Sequence, residues 1–186
     1  MTVTVTSLQT VRVWDIWVRL THWAVAVGLF INLLVTEDGS DAHEYVGYAV
    51  MGLVVSRLIW GLIGSRYARF SDFFPTPARI KQHLDDVSEH RYAMHLGHNP
   101  LGALMMFALW GVIMGLGVTG YLQTTDHFWG DDWLQTLHKF LAYSLYGLVP
   151  MHVAAAIMMS RLQRQNLIKS MITGKKLVDN SFTPLE

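Results

Sequence analysis

The amino-acid sequence predicts an all-α integral membrane protein, a four-helix bundle with both termini cytoplasmic. Three observations predict it. First, four stretches are apolar for about 20 residues each, enough to cross a bilayer. Second, the 186 residues are 52% hydrophobic and only 15% charged, with mean hydropathy +0.28, whereas soluble domains carry about 25% charged residues. Third, lysine and arginine collect in the N-terminal tail, the 65–99 connection and the C-terminal tail, while the loops 36–41 and 123–132 are acidic and lack both. Cytoplasmic segments carry the positive excess, so the two acidic loops face outward.

Each element follows in order. Residues 1–13 are polar and Thr-rich, a mobile or extended tail. No small-residue cleavage site follows the next apolar run, which argues against a signal peptide. The first span covers about 16–36, with Trp14, Trp17 and Trp23 at its start, where an aromatic belt is expected, and His22 just inside. The second covers about 42–64. Asp41 and Glu44 have capping-box spacing, His43 falls in the first turn, and Arg57 lies fourteen residues on, on the same face at the opposite end.

Residues 65–99 form a long basic connection with Arg66, Arg69, Arg79, Lys81 and Arg91; 75–90 read as an amphipathic helix on the membrane surface. Asn99 followed by Pro100 marks the start of the third span, about 100–121, which is glycine-rich and holds no histidine. The fourth span, 133–161, carries His138, His152 and Pro150, and the tail 163–186 is basic. Residues 14–162 thus form one domain without internal repeat.

Composition also excludes function classes. Zero formal charge gives no basis for nucleic-acid binding. The absence of cysteine excludes disulfides, thiolate-held iron–sulfur clusters and covalent c-type haem. No phosphate loop or dinucleotide fingerprint occurs.

His138 and His152 are fourteen residues apart. At 100° and 1.5 Å per residue they share a face and stand about 21 Å apart along the axis. Intramembrane ionisable groups are costly and need partners. Topology supplies these by depth: His22 and His152 lie towards the cytoplasmic side, His43 and His138 towards the outside. Two neutral imidazoles facing one iron hold b-type haem in a helical bundle, so two such pairs imply two haem b groups. A small residue stands four positions after each histidine: Ala26, Gly47, Ala142 and Ala156. Arg57 either neutralises a haem propionate or snorkels to the headgroups.

Other residues have blander readings. His83, His90, His95 and His98 lie in the cytoplasmic connection and read as part of a solvated segment, since nothing in their spacing resembles a zinc site. His127 reads as exposed, and Met151 as packing.

RLTHW (19–23), HEYVGY (43–48) with Arg57-Leu58-Ile59-Trp60, HNPLG (98–102) and the fourth-span histidine pair resemble the bacterial di-haem cytochrome b561 family. They resemble more closely the b-type cytochrome subunit of nickel–iron hydrogenases and its stand-alone relatives. The likeness covers about residues 11–176. It implies a four-helix bundle of the bacterial inner membrane with the same four ligands, two b haems, and electron transfer between a quinone pool and a redox protein. The membrane subunit of respiratory formate dehydrogenase is similar, and by that analogy Asn99, His98 and His152 lie near a quinone pocket. A hydrogenase-like subunit or a periplasmic c-type cytochrome at the outer face suits the acidic loops, which favour a basic partner. The alternative is a superoxide oxidase reducing ubiquinone unaided, for which Lys139 beside His138 speaks. Homo-oligomerisation stays open.

Overall fold

Helix caps and apolar length, acting together, set the boundaries of the long helices. A computed structural model describes residues 8–89 and 96–179. Strand β1 (Leu8–Arg12) precedes α1 (Ile16–Leu34) and α2 (Asp41–Ile63). A 3-10 turn (Arg66–Ala68), α3 (Phe70–Phe73) and α4 (Pro77–Ser88) make up the connection. Then come α5 (Pro100–Gln123), α6 (Asp132–Leu162), α7 (Leu167–Thr173) and β2 (Lys175–Asp179). The helices α1, α2, α5 and α6 are long and apolar enough to cross a membrane, as expected. Their outer faces bear Phe30, Leu62, Phe140 and Tyr143, an apolar surface suited to lipid.

Asp15 caps α1, its Oδ1 accepting from Val18 N at 2.9 Å. Asn99 caps α5 as expected, accepting from Gly102 N at 2.6 Å, with Pro100 in the first turn. The start of α2 differs from expectation. Ser40, not Asp41, is the cap, and its Oγ accepts from His43 N at 3.2 Å. Asp41 is then the first helical residue, and with Glu44 it places negative charge in the first turn, where the helix dipole favours it.

Neighbouring spans pack unevenly. The pairs α5–α6 and α1–α2 run in extensive contact, α2 and α5 join the two pairs, and α6 packs closely along no other span. Val50, Val54, Ile113 and Leu145 form the buried core of the bundle. Gly28 lets α1 and α2 approach, because a Cβ there would run into Val50.

The described part of the N-terminal tail is extended, and it pairs with the basic C-terminal tail, a contact the sequence reading did not foresee. Strands β1 and β2 pair antiparallel, with Gln9 opposite Val178 and Val11 opposite Lys176. Gly174, at φ 78°, closes α7 in the left-handed conformation, and its carbonyl accepts from Val13 N at 2.8 Å and Trp14 N at 3.1 Å. A second core of Val13, Trp14, Val18, Ala68, Leu96 and Val178 joins this sheet to the bundle. Both described ends therefore lie on one side, called here the sheet end; the opposite side, with the 36–41 and 123–132 loops, is the hairpin end. Within the connection, α4 falls inside the expected helix, but His83 on it is buried, not solvated. His90, Arg91 and His95 lie outside the described residues.

Candidate functional site

Four histidines face one another in two pairs. His22 of α1 and His152 of α6 have ring centroids 6.3 Å apart. His43 of α2 and His138 of α6 are also 6.3 Å apart. The first pair sits towards the sheet end, the second at the hairpin end, and α6 contributes to both. All four rings are half-buried. In each pair the rings face across a gap that α6 does not close by packing against α1 or α2.

The spacing admits a metal between the rings. A metal–imidazole bond is about 2 Å and the nitrogen lies about 1.1 Å from its ring centre, so imidazoles opposed across one iron have centres about 6 Å apart. Among the described residues no three His, Cys, Asp or Glu side chains cluster as ligands for a bare ion. Paired imidazoles at this separation would suit haem iron rather than a bare ion. His22 Nδ1 is sealed from solvent without a hydrogen-bond partner among the described residues.

At the hairpin end the rings are steered by hydroxyls. Thr119 Oγ1 of α5 stands 2.8 Å from His138 Nδ1, and Thr36 Oγ1 stands 3.3 Å from His43 Nδ1. Gly120 lies beside the same ring, where an added Cβ would stand 3.4 Å from His138 Cε1. Asn32 Nδ2 donates to the His43 carbonyl at 3.0 Å, tying α1 to the start of α2.

The sheet end is electropositive. Arg57 is 5% exposed, so the snorkelling alternative is overturned: its Nη2 donates to the Ala68 carbonyl at 3.1 Å and its guanidinium lies 5.3 Å over the Trp110 ring. Arg57 Nη1 is sealed, with no partner among the described residues. Short polar groups and an aromatic ring within reach hold the side chain inside. Lys176 is also buried, over the Trp14 ring, with Nζ donating to the Gly97 carbonyl at 3.4 Å. Burial pushes this ammonium down to about 8. His98 stands between Trp14 and Phe73, each ring 4.7 Å away. Burial, then the charges of Arg57 and Lys176, then His152 and His22, push its imidazole down to about 3. It is a neutral ring beside the His22–His152 pair. Asn99 adjoins it, with Oδ1 committed to capping α5.

The family model for prokaryotic cytochrome b561 matches residues 13–174. The chain belongs to this family. It is similar to probable Ni/Fe-hydrogenase B-type cytochrome subunits: 24% identical to that of Bradyrhizobium diazoefficiens over 90% of this chain and 86% of the relative. Identity to the subunit of Azotobacter vinelandii is 26%, over 90% of this chain and 88% of the relative. For Rhizobium leguminosarum bv. viciae it is 22%, over 91% and 90%. No solved structure gives a significant match. This b561-family protein is thus a multi-pass bacterial membrane b-type cytochrome of electron transfer, with haem b as its cofactor.

In this cytochrome, sequence reasoning passed over Thr36, Thr119 and Lys176. Depth matching, which paired the histidines, also places Thr119 level with His138, and that was the available signal. Lys176 gave none, lying in a segment that reads as a solvated basic tail. Met151, expected to pack, is half exposed on the outer surface, and His127 is exposed as expected.

Proposed function

We propose that this cytochrome holds two haem b groups, one between His22 and His152 and one between His43 and His138, and carries electrons between a quinone and a redox protein. The observation behind this reading is the repeated 6.3 Å separation of opposed imidazoles at two depths of one bundle. Bound haem supplies a one-electron iron couple. The chain's own residues do the rest. The histidines would hold the two groups, His138 and His152 standing about 21 Å apart along α6. Arg57, with Nη1 sealed, offers its charge to a carboxylate such as a haem propionate. The neutral His98 ring, within electrostatic range of His152, and the adjacent Asn99 would offer hydrogen-bonding groups to a quinone carbonyl.

The basic connection and tail argue that the sheet end is cytoplasmic and that both termini lie there. The acidic hairpin end then faces outward, and its charge favours a basic docking surface. The relatives are probable Ni/Fe-hydrogenase B-type cytochrome subunits, which supports a hydrogenase-like redox partner. Haem counting on the purified chain tests the reading, with two haem b per chain expected and one per chain overturning it. A short-chain quinol should reduce both.

Lys139, exposed beside His138, favours a second reading in which superoxide is the electron donor. Stopped-flow mixing separates the two: haem reduction by superoxide at micromolar concentration supports the second, and none supports the protein partner.

A further inference from the structure

The two imidazole pairs differ in what stands behind them. At the hairpin end both Nδ1 atoms have a threonine hydroxyl, Thr119 at 2.8 Å and Thr36 at 3.3 Å. At the sheet end His22 Nδ1 has no partner among the described residues. The direction of these bonds follows from proton counting. Thr119 Oγ1 also lies 2.8 Å from the Gly115 carbonyl, which can only accept, so the single hydroxyl proton goes there. Thr36 Oγ1 likewise donates to the Asn32 carbonyl at 3.2 Å. Each threonine oxygen is left to accept and each Nδ1 to donate, and the His138 ring also has the Leu116 backbone within hydrogen-bonding reach. An imidazole that binds metal through Nε2 carries its proton on Nδ1, so the two requirements agree.

A threonine in a membrane helix commonly bonds only to its own i−4 carbonyl. Thr119 does this and also reaches a histidine on another helix, a contact that helix bonding does not require.

We propose that Thr119, assisted by Thr36, is a positioning residue that sets the hairpin-end haem at a lower reduction potential than the sheet-end haem. This inference rests on the ligand reading given under Proposed function. Accepting a proton-side hydrogen bond raises the basicity of the ligating nitrogen and favours ferric iron. The charge distribution acts in the same sense, since Asp38 lies within electrostatic range of His138, and Arg57 and Lys176 crowd the sheet end.

The experiment is a spectroelectrochemical titration of the haem-loaded protein and of Thr119→Val, Thr119→Ser and Thr36→Val. Valine keeps the shape and loses the acceptor; serine keeps the acceptor. Thr119→Val should move the lower of the two midpoints upward and leave the upper one in place. Thr119→Ser should keep both, and Thr36→Val should give a smaller upward shift in the same component, which stands in for Thr119→Val if that variant fails to insert. Unchanged midpoints, or an equal shift in both haems, overturn the proposal. His138→Ala in the same series separates the two levels of inference: it should abolish the lower component, and retention of both haems would defeat the ligand reading instead.

Discussion

The carboxylate of Asp15 binds the indole of Trp60: Oδ2 accepts from Nε1 at 2.9 Å. The same oxygen accepts from Ser65 Oγ at 2.5 Å, while Oδ1 caps α1. One side chain thus ties the start of the first crossing to the end of the second.

Asp15→Asn should therefore loosen the sheet end, because a carboxamide can present its NH2 to the Trp60 and Ser65 donors. The expected cost is about 1–3 kcal/mol, read as a lower thermal midpoint by circular dichroism in detergent. Burial alone would raise this carboxyl, but hydrogen bonds from Ser65, Trp60, Val18 and Trp17 outweigh it and hold it below 3.8. Its contribution is accordingly complete above that value and lost as pH falls through the lower folded value. The asparagine variant should lack this part of the acid limb.

Replacing single ligands should remove single haems. His138→Ala is expected to lose the hairpin-end haem and His152→Ala the sheet-end haem, each taking the haem-to-protein ratio from two to one in a pyridine haemochrome assay. A variant that keeps two haems would show the pairing to be wrong.

His98 gives a second pH dependence. Its folded value near 3 lies below the ordinary 6.5, so the unfolded chain takes up the proton first as pH falls. Stability is whole above about 6.5 and declines on acidification towards the folded value. His98→Gln, which cannot ionise, should show a smaller fall in thermal midpoint between pH 7 and pH 5 than the parent. An equal fall would rule out a buried neutral ring.

Arg57→Leu removes a guanidinium held by the Ala68 carbonyl and the Trp110 face, with a loss of about 1–2 kcal/mol. Loss of positive charge also disfavours added electrons nearby, so the upper haem midpoint should fall. Arg57→Lys should retain most of the charge effect. A midpoint indifferent to both would show that the arginine serves packing alone.

The crossings and the facing histidines were legible because a bilayer is a strict ruler: it fixes span length, and topology then fixes depth. The arrangement of His22 near His152 and His43 near His138 follows from those two constraints alone. Thr119 was not legible, since its hydroxyl has an ordinary bond to Gly115 and nothing local announces the second contact. The pairing of β1 with β2 was hidden by the length of chain between them. Lys176 looked solvated for the same reason, because its burial depends on Trp14 and Gly97, both far away in sequence. At α2, the serine oxygen won the cap from a neighbouring aspartate, a contest that spacing alone does not decide.

Gly174 follows the last crossing, yet its carbonyl receives the amides of Val13 and Trp14, which precede the first. A ribosome delivers those partners at opposite ends of its run, so Trp14 must wait through the synthesis of every span before its backbone is satisfied. The same Trp14 walls one side of His98, so that wall is anchored only once the last crossing has been made. A chain halted before that glycine would leave an unsealed aromatic surface at the membrane edge, a mark by which quality control could tell unfinished molecules from finished ones.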